Sequence, residues 1–407
     1  MNEPGRSPDH GPPLALLEHI HAGAPLMVMK FTGAGAEALY WLHSVAGSSR
    51  TVLEAVDHYT TASLIEAVGF TPKRFASSEV AAALAEQAQR RASALARANL
   101  PTFGLGLSAA IATDRTKRGE HRCEAAVHDT FGIHHYSLRL AKGERDRAGE
   151  ERVVSSLVMR AVADAKGVLG APLPELVAGE QLLQRLVATG IAAEFEAGRR
   201  SWFQVTPAGE VAERVPEGAA ILSGAFNPVH HGHIRLAEAA GAYLGSEVVF
   251  ELPLANADKE EIGLAEARRR AAQFLGNRSL LLTRSPLFNE KARLFPGHTF
   301  VVGVDTAVRL LERRFYGSEE SRIGALEELR TLGARFLVAG RRRDGRFLTL
   351  EHLDVPAAAR ELFQALPEDR FHEDISSSQL RDEWPSSVAG DGDGNGGGDG
   401  GDGDGDR

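Results

Sequence analysis

The sequence contains a single cysteine, Cys123, so an intramolecular disulfide framework is excluded and a reducing compartment is expected. It also lacks any apolar run of about 18 residues, so no membrane-spanning helix is predicted. The N-terminal segment MNEPGRSPDHGPP has no apolar stretch like that of a secretory signal. We therefore expect a cytoplasmic protein, and the sequence leaves an organelle address open.

An excess of basic residues is missing as well. The formal net charge is −9, and the segment 390–407, with six Asp and one Arg, contributes −5 of it. The remaining −4 makes the rest of the chain mildly acidic, so bulk charge does not favour nucleic-acid binding. We expect 385–407 to be a disordered acidic Gly/Asp tail.

Part of the tail imitates a calcium-binding loop. The residues at the matching spacing are Asp391, Asp393, Asn395, Gly396 and Asp402. A Gly/Asp repeat produces this spacing by chance, and no helical pattern flanks it. We therefore expect no specific calcium site there.

The chain is long enough for about two or three domains, and it shows no repeat with a period of about 20 to 50 residues. We expect disorder over 1–13, an α/β domain over 14–168, a linker or connector over 169–218 and a second α/β domain over 219–384. Within the connector, ELVAGEQLLQRLVATG predicts a helix, and SWFQVTPAGEVAE predicts a short hairpin or a connecting loop.

The second α/β segment alternates between apolar strands and amphipathic helices. The predicted strands are AAILS, EVVFEL, SLLLT, TFVVGV and ARFLVAG. Helices are predicted from about 233 to 244 and over EEIGLAEARRRAAQFL, DTAVRLLERRF and ISSSQLRDEW. This alternation predicts a parallel sheet covered on both faces, and ligands of such sheets bind beyond the carboxyl ends of the strands.

The stretch SGAFNPVHHGH places His230, His231 and His233 where a strand gives way to a helix. Three interpretations are open: a metal cluster, solvent-facing histidines of a tight turn, or a site for phosphate. A zinc site needs further Cys, His, Asp or Glu ligands in a recognisable pattern, and the sequence offers none. The turn interpretation explains the crowding but not the surrounding residues.

The phosphate interpretation accounts for more of the segment. Gly224 allows close backbone approach, Pro228 stiffens the turn, and Gly232 lies at the start of a helix. The free N–H groups and positive dipole end of that helix attract anions. Two imidazoles at the same end can donate hydrogen bonds to phosphate oxygens, on which charge builds during nucleotidyl transfer.

The segment GAFNPVHHGH resembles the signature of the H-x-G-H nucleotidyltransferase superfamily, and within it the nicotinate/nicotinamide mononucleotide adenylyltransferases. Two further segments support this resemblance over about 160 residues. ISSSQLR (375–381) resembles the family's I-S-S-T-x-I/V-R, and VVGVDT (301–306) resembles its strand that ends in G-x-D. The resemblance implies a Rossmann-like parallel sheet and transfer of AMP from ATP to a mononucleotide, with release of pyrophosphate.

The family resemblance also implies roles for individual residues. His230 and His233 would contact the ATP phosphates and stabilise the transition state at the α-phosphorus. Nucleotide contacts are implied at Gly224, Ala225, Phe226, Asn227, Gly232, Gly303, Asp305, Ser376, Ser377, Ser378 and Arg381. Lys259 lies where bacterial members carry a proline-histidine-lysine loop, of which this sequence keeps the lysine. Magnesium is expected with ATP, to neutralise phosphate charge, and no dedicated acidic metal cage is visible.

Several of these residues have simpler explanations. Asp305 could cap the helix that follows it, and an ordinary N-cap explains one of the three serines but not all three together with Arg381. Arg268, Arg269 and Arg270 fit a solvated helix face. The arginines at 341–343 fit a solvated face too, although they follow a strand end and could reach phosphate.

Pantetheine-phosphate adenylyltransferases and cytidylyltransferases share the same helix-end chemistry, so the base and the acceptor stay open. FNP in place of FDP resembles eukaryotic pyridine-nucleotide enzymes, whereas H-H-G-H has the bacterial form. A non-catalytic nucleotide sensor or scaffold is the alternative from another class. ATP and a small mononucleotide are the expected partners, no nucleic acid or membrane is expected, and a homo-oligomer is left open.

The N-terminal half resembles the CinA-like domain of competence-damage-inducible proteins, whose active members are nicotinamide mononucleotide amidohydrolases. The matching pieces are TGA (32–34), VAGSSR (45–50), Tyr59 and SSEVAAALAEQA (77–88). The nucleophilic serine of the family's E-S-C-T-G-G is replaced by Lys30, and its lysine after the tyrosine by Leu64. We therefore expect a catalytically degenerate domain, with nucleotide binding, regulation, oligomerisation and a purely structural role all open.

Overall fold

Each half of the chain is built around a β-sheet flanked by helices. The computed structural model describes residues 11–97, 99–115, 118–255, 261–343 and 346–371. The predicted α/β fold class is confirmed. Ser376, Ser377, Ser378, Arg381, Lys259 and the acidic tail lie outside the described residues.

The N-terminal half begins with a helix, and a strand–turn–helix unit follows it. Its elements are α1 (Leu14–His21), β1 (Leu26–Thr32), α2 (Ala36–His43), β2 (Val52–Asp57), α3 (Thr61–Val68), α4 (Ser78–Leu95), β3 (Thr102–Ala110), β4 (His121–Asp129), β5 (Gly132–Leu140), α5 (Arg147–Ala165) and β6 (Gln181–Ala188). The sheet order is β2-β1-β3-β4-β5-β6. Pairing is parallel from β2 to β3 and antiparallel from β3 to β6, so this sheet is mixed.

Helices cover both faces of this sheet. On one face α1, α2 and α5 bury Leu17, Trp41 and Leu157 against the strands, in a continuous core. On the other face α4 lies directly on β1, β3 and β4 and buries its alanine-rich stripe, which includes Ala85 and Ala88. Burial of apolar surface of this kind is the main term that stabilises an α/β layer structure.

The C-terminal half follows the alternation predicted for it. Its elements are α6 (Gly190–Glu196), β7 (Trp202–Val205), β8 (Val211–Ala212), β9 (Ala220–Ser223), α7 (His231–Leu244), β10 (Val248–Pro253), α8 (Leu264–Ala272), β11 (Leu280–Thr283), α9 (Phe288–Leu294), β12 (Thr299–Gly303), α10 (Val304–Leu311), α11 (Glu319–Thr331), β13 (Arg335–Ala339), β14 (Arg341–Arg343), β15 (Arg346–Leu348) and β16 (Phe363–Ala365). The main sheet has the order β16-β13-β12-β9-β10-β11-β7-β8. All pairings from β16 to β11 are parallel, which confirms the parallel sheet.

This parallel sheet is covered on both faces, as its near-continuous apolar strands require. Helices α7 and α8 pack on one face over Leu222, Phe250 and Leu282. Helices α9, α10 and α11 pack on the other face over Ile221 and Phe300. The carboxyl ends of β9, β10, β11 and β12 therefore meet along one edge, where the histidine segment leaves β9.

The predicted helix in the connector is wrong. Gln181–Ala188 is strand β6, which pairs antiparallel with the edge strand β5. A short apolar run does not distinguish a helix from a strand by spacing alone, and here the open edge of β5 supplies hydrogen-bond partners for the whole segment.

Residues 169–218 therefore contribute to both sheets. The predicted hairpin forms as β7 and β8, and β7 pairs antiparallel with β11 at the edge of the second sheet. Leu182 packs against the N-terminal core, whereas Leu186 packs against the C-terminal core. The segment expected to link the halves thus joins their hydrophobic cores.

Candidate functional site

The histidine segment lies between the end of β9 and the N-terminus of α7. His230 has extended backbone and is the N-cap residue, and α7 begins at His231, two residues earlier than the sequence predicts. The His231 side chain is exposed, whereas His230 and His233 are half-buried and Gly232 is buried. The first turn of α7 contains no acidic residue, so its positive dipole end is not neutralised from within the helix.

His230 and His233 form a stacked pair. Their ring centroids are 3.7 Å apart with an interplanar angle of 29°. The backbone N–H of His230 donates to Nδ1 of His233 at 3.2 Å. An imidazole whose Nδ1 accepts a hydrogen bond carries its proton on Nε2, so the neutral His233 offers Nε2–H as a donor.

The charge state of His233 follows from its surroundings. Burial, and then the neighbouring His230, lower the pKa of His233 to about 3. Its imidazole is therefore neutral at physiological pH and acts by hydrogen bonding rather than as a cation. Among the described residues no group of three or more His, Cys, Asp and Glu could hold a metal ion, so the metal-cluster interpretation gains no support.

The turn that precedes the histidines is organised by Phe226. Its backbone has a φ of +46°, and its ring is almost fully buried against Phe250, Phe274 and His233. A Cβ added at Gly224 would lie 2.6 Å from the Phe226 ring. The space beside Gly224, expected from the sequence to admit a ligand, is therefore filled by Phe226, which in turn supports the ring of His233.

Much of the backbone of this turn is engaged within the protein. The Gly224 N–H donates to the carbonyl oxygen of Glu251 at 3.0 Å. The Ala225 carbonyl accepts from Nη1 of Arg270 at 2.9 Å, and the Phe226 carbonyl accepts from Nε2 of Gln273 at 3.3 Å. These three hydrogen bonds hold the turn in place.

The expectation of a solvated arginine face on α8 is wrong. Arg268 is 2% exposed and its Nε donates to Oδ2 of Asp129 at 2.6 Å. Arg269 and Arg270 both pair with Glu266, and Arg270 also reaches the histidine segment. The partner of Arg268 lies far along the chain, so the local sequence gives no sign that this arginine is buried.

Gly303 and Asp305, two of the predicted nucleotide contacts, lie at the end of β12 and the start of α10. Gly303 is the N-cap of α10, and Asp305 lies in the first turn without capping it, so the capping interpretation of Asp305 is wrong. Its Oδ2 accepts from Nη1 of Arg341 at 2.7 Å. Beside this pair is a cleft of about 520 Å³, lined by Asp305, Val308, Arg309, Glu312, Arg314, Arg341 and Arg342. Arg341 and Arg342 thus line an open cleft.

A buried ion pair at the same sheet edge has no counterpart among the predicted residues. Nζ of Lys291 lies 2.7 Å from Oε2 of Glu251 and 3.3 Å from Oγ of Ser223. Thr283 Oγ1 donates to the other carboxylate oxygen of Glu251 at 2.5 Å. Glu251 interrupts an otherwise apolar strand, and this was the sequence signal that could have revealed the pair.

In the N-terminal half, helix α2 also begins just after a strand, but a side chain of the protein itself binds the N–H groups at its start. The N–H groups of Gly35 and Glu37, at the beginning of α2, donate to Oε1 of Glu151 at 2.7 and 3.2 Å. Lys30 occupies the position of the resembled family's serine, and Leu64 is buried. A carboxylate of the chain itself therefore occupies the place where an anionic ligand would meet this helix.

Comparison with known proteins supports a nucleotidyltransferase-type domain in the C-terminal half. Residues 221–383 match the family model described as cytidylyltransferase-like. A search of curated proteins gave no significant match. Among solved structures, the competence/damage inducible protein CihA from Agrobacterium tumefaciens matches with 21% identity and a TM-score of 0.30, over 36% of this chain and 92% of that one.

No helix among the described residues combines the length and the apolar character needed to cross a membrane.

Proposed function

We propose, from the cytidylyltransferase-like domain at residues 221–383, that this protein transfers AMP from ATP to the 5′-phosphate of a pyridine mononucleotide, nicotinamide or nicotinate. A phosphate oxygen of the mononucleotide forms a bond to the α-phosphorus of ATP. The bond from that phosphorus to the bridging oxygen breaks, and pyrophosphate leaves with its electrons. No covalent enzyme intermediate is required, and the product is a dinucleotide of NAD biosynthesis.

The stacked pair of His230 and His233 at the start of α7 is the observation that carries this proposal. In-line transfer gathers negative charge on the α-phosphate oxygens, and positioned donors stabilise that charge. His233 stays neutral and keeps its Nε2–H as a donor because the His230 N–H holds its Nδ1. The free N–H groups of the helix end add donors of the same kind.

Magnesium would enter this site with the triphosphate. Mg²⁺ keeps several water ligands and binds through one or two carboxylates together with substrate phosphates. We therefore propose that the metal arrives bound to the phosphates of ATP. The metal would neutralise charge on the phosphates, while the imidazoles donate hydrogen bonds.

The acceptor is proposed from the combination of the two sequence resemblances. The C-terminal motifs resemble adenylyltransferases of pyridine mononucleotides, and the N-terminal motifs resemble amidohydrolases of nicotinamide mononucleotide. Cytidylyl transfer is the second candidate, because the matching family model is cytidylyltransferase-like.

A donor and acceptor screen tests the proposal. The protein is incubated with α-labelled ATP or CTP and with nicotinamide mononucleotide, nicotinate mononucleotide, phosphopantetheine or phosphocholine, and pyrophosphate and labelled product are measured. We expect turnover with ATP and a pyridine mononucleotide. Product from CTP and phosphocholine, or from ATP and phosphopantetheine, would replace the proposed acceptor, and tight ATP binding without any turnover would indicate a nucleotide sensor.

A further inference from the structure

Helix α8 holds the histidine segment from one side. The Gln273 side chain, at the C-terminal end of α8, spans the turn before α7. Its Oε1 accepts from the N–H of Val229 at 2.9 Å, while its Nε2 donates to the carbonyl of Phe226 at 3.3 Å. Arg270 adds the bond to the Ala225 carbonyl at 2.9 Å. The position of the turn, and of the histidine that follows Val229, therefore depends on the position of α8.

The same helix is buried against the N-terminal half on its other side. Arg268 pairs with Asp129 at the end of β4, and its Nη1 lies 3.4 Å from Nδ1 of His134 on β5. Ala271 and Ala272 line a small cavity together with Phe131 and Ala165 of the N-terminal half. Removal of one partner of such a buried ion pair would leave an uncompensated charge, so this contact between α8 and the N-terminal half is costly to break.

Gln273 contacts the turn before α7 and also lies against the N-terminal half. Gly167, just beyond the end of α5, has a φ of +67°, and a Cβ there would lie 2.8 Å from the backbone nitrogen of Gln273. The backbone of the N-terminal half thus touches the residue whose side chain spans the histidine turn. Only a glycine permits this approach, because any other side chain would push on α8.

We infer that the N-terminal half is a positioning element for the nucleotidyl-transfer site, and that it acts through Asp129, Gly167 and α8 on the turn that carries His230 and His233. This inference rests on the proposed function. It assigns the N-terminal half a role that needs no ligand and no chemistry of its own. Asp129 and Gly167 are positioning residues, since they contact neither the histidines nor the turn.

The inference is tested with Asp129→Asn and Gly167→Ala in the full chain. Asp129→Asn keeps Oδ1, which accepts from the Phe131 N–H, and removes the charge that faces Arg268. We expect kcat to fall roughly tenfold with KM changed less than about twofold, because small displacements of catalytic groups cost rate rather than substrate affinity. Amide hydrogen exchange in a peptide that spans 224–236 should accelerate in both variants.

Two controls separate positioning from general stability. Leu84→Ala opens a cavity in the α3–α4 cluster, away from α8, and should lower Tm while leaving kcat and exchange in 224–236 unchanged. Arg278→Gln removes an exposed ion pair with Glu238 on α7 and should change neither kcat nor exchange in 224–236. All rates are measured well below the lowest Tm.

The outcomes are distinguishable. Unchanged kcat and unchanged exchange in 224–236 for both Asp129→Asn and Gly167→Ala would overturn the inference, whatever happens to Tm. If the wild-type chain turns over no donor and acceptor pair, the proposed function fails. The positioning role is then still decided by exchange in 224–236, which does not depend on activity.

Discussion

Both halves of the molecule contain a parallel strand that ends in a tight turn and a helix that begins just after it. In the N-terminal half β1 leads to α2, and the helix N–H groups are taken by the carboxylate of Glu151. In the C-terminal half β9 leads to α7, whose first turn has no acidic residue and carries two imidazoles instead. The chain's own carboxylate therefore closes the N-terminus of α2 to an outside anion, whereas no acidic side chain lies in the first turn of α7.

The largest expected effect comes from the imidazoles of α7. His230→Ala and His233→Ala should each lower kcat roughly 100- to 1,000-fold, the usual cost of one donor to a developing charge. His231→Ala is the matched control, because this side chain is exposed, and its kcat should stay within about twofold of wild type. Steady-state pyrophosphate release measures kcat for all three variants. Normal turnover in both His230→Ala and His233→Ala would show that these histidines do not form the active site.

A smaller loss of activity is expected at the turn. Gly224→Ala places a Cβ against the Phe226 ring, which supports His233, so the turn must shift. We expect kcat to fall roughly 10- to 100-fold, as for a misplaced catalytic group. Gly324→Ala, at an exposed position on α11, is the control, because a Cβ there meets no atom within 4 Å. Equal kcat values for the two variants would show that the turn does not position the histidines.

The closed helix end should affect stability rather than transfer. Glu151→Ala leaves the N–H groups of Gly35 and Glu37 without their acceptor, which should lower the free energy of unfolding by about 1–3 kcal/mol. Arg152→Ala, at the exposed neighbouring position, should change it by less than about 0.5 kcal/mol. Urea unfolding measures both. Transfer activity below the unfolding transition should be unchanged, and a large loss of kcat in Glu151→Ala would contradict this division between the helix ends.

A further effect concerns stability in acid. Burial first, and then Arg268, lower the pKa of His134 to about 3. The unfolded state therefore binds a proton more readily than the folded state from about pH 6.5 down to about pH 3, and stability falls with pH by up to about 1.4 kcal/mol per unit. His134→Gln should reduce this slope in urea unfolding between pH 6.5 and 4.5. His19→Gln, at an exposed position, should leave the slope as it is, and equal slopes in the two variants would remove His134 as its cause.

Local patterns predicted the parts of the structure that depend on neighbouring residues. The strand–turn–helix unit from β9 to α7 and the alternation through β13 follow from apolar spacing, which the parallel sheet then buries. The helices α9 and α11 were not predicted. Strand β6 was predicted as a helix, because the edge of β5 that it pairs with is not visible in its own sequence.

The candidate site divides in the same way. His230 and His233 could be selected from the sequence because their types, spacing and place before a helix occur together. The stacking of their rings, the proton position on His233 and the ring of Phe226 beneath them required the structure. The ion pair of Lys291 and Glu251 was missed because its partners come from different elements.

The sequence by itself determined the α/β class and the strand and helix that frame the histidines. These depend on side-chain type and on spacings of a few residues. Only the tertiary structure decided that Glu151 closes α2 and that Arg268 is buried against Asp129. Those contacts join residues more than a hundred positions apart, and burial in a folded interface, not local spacing, sets their strength.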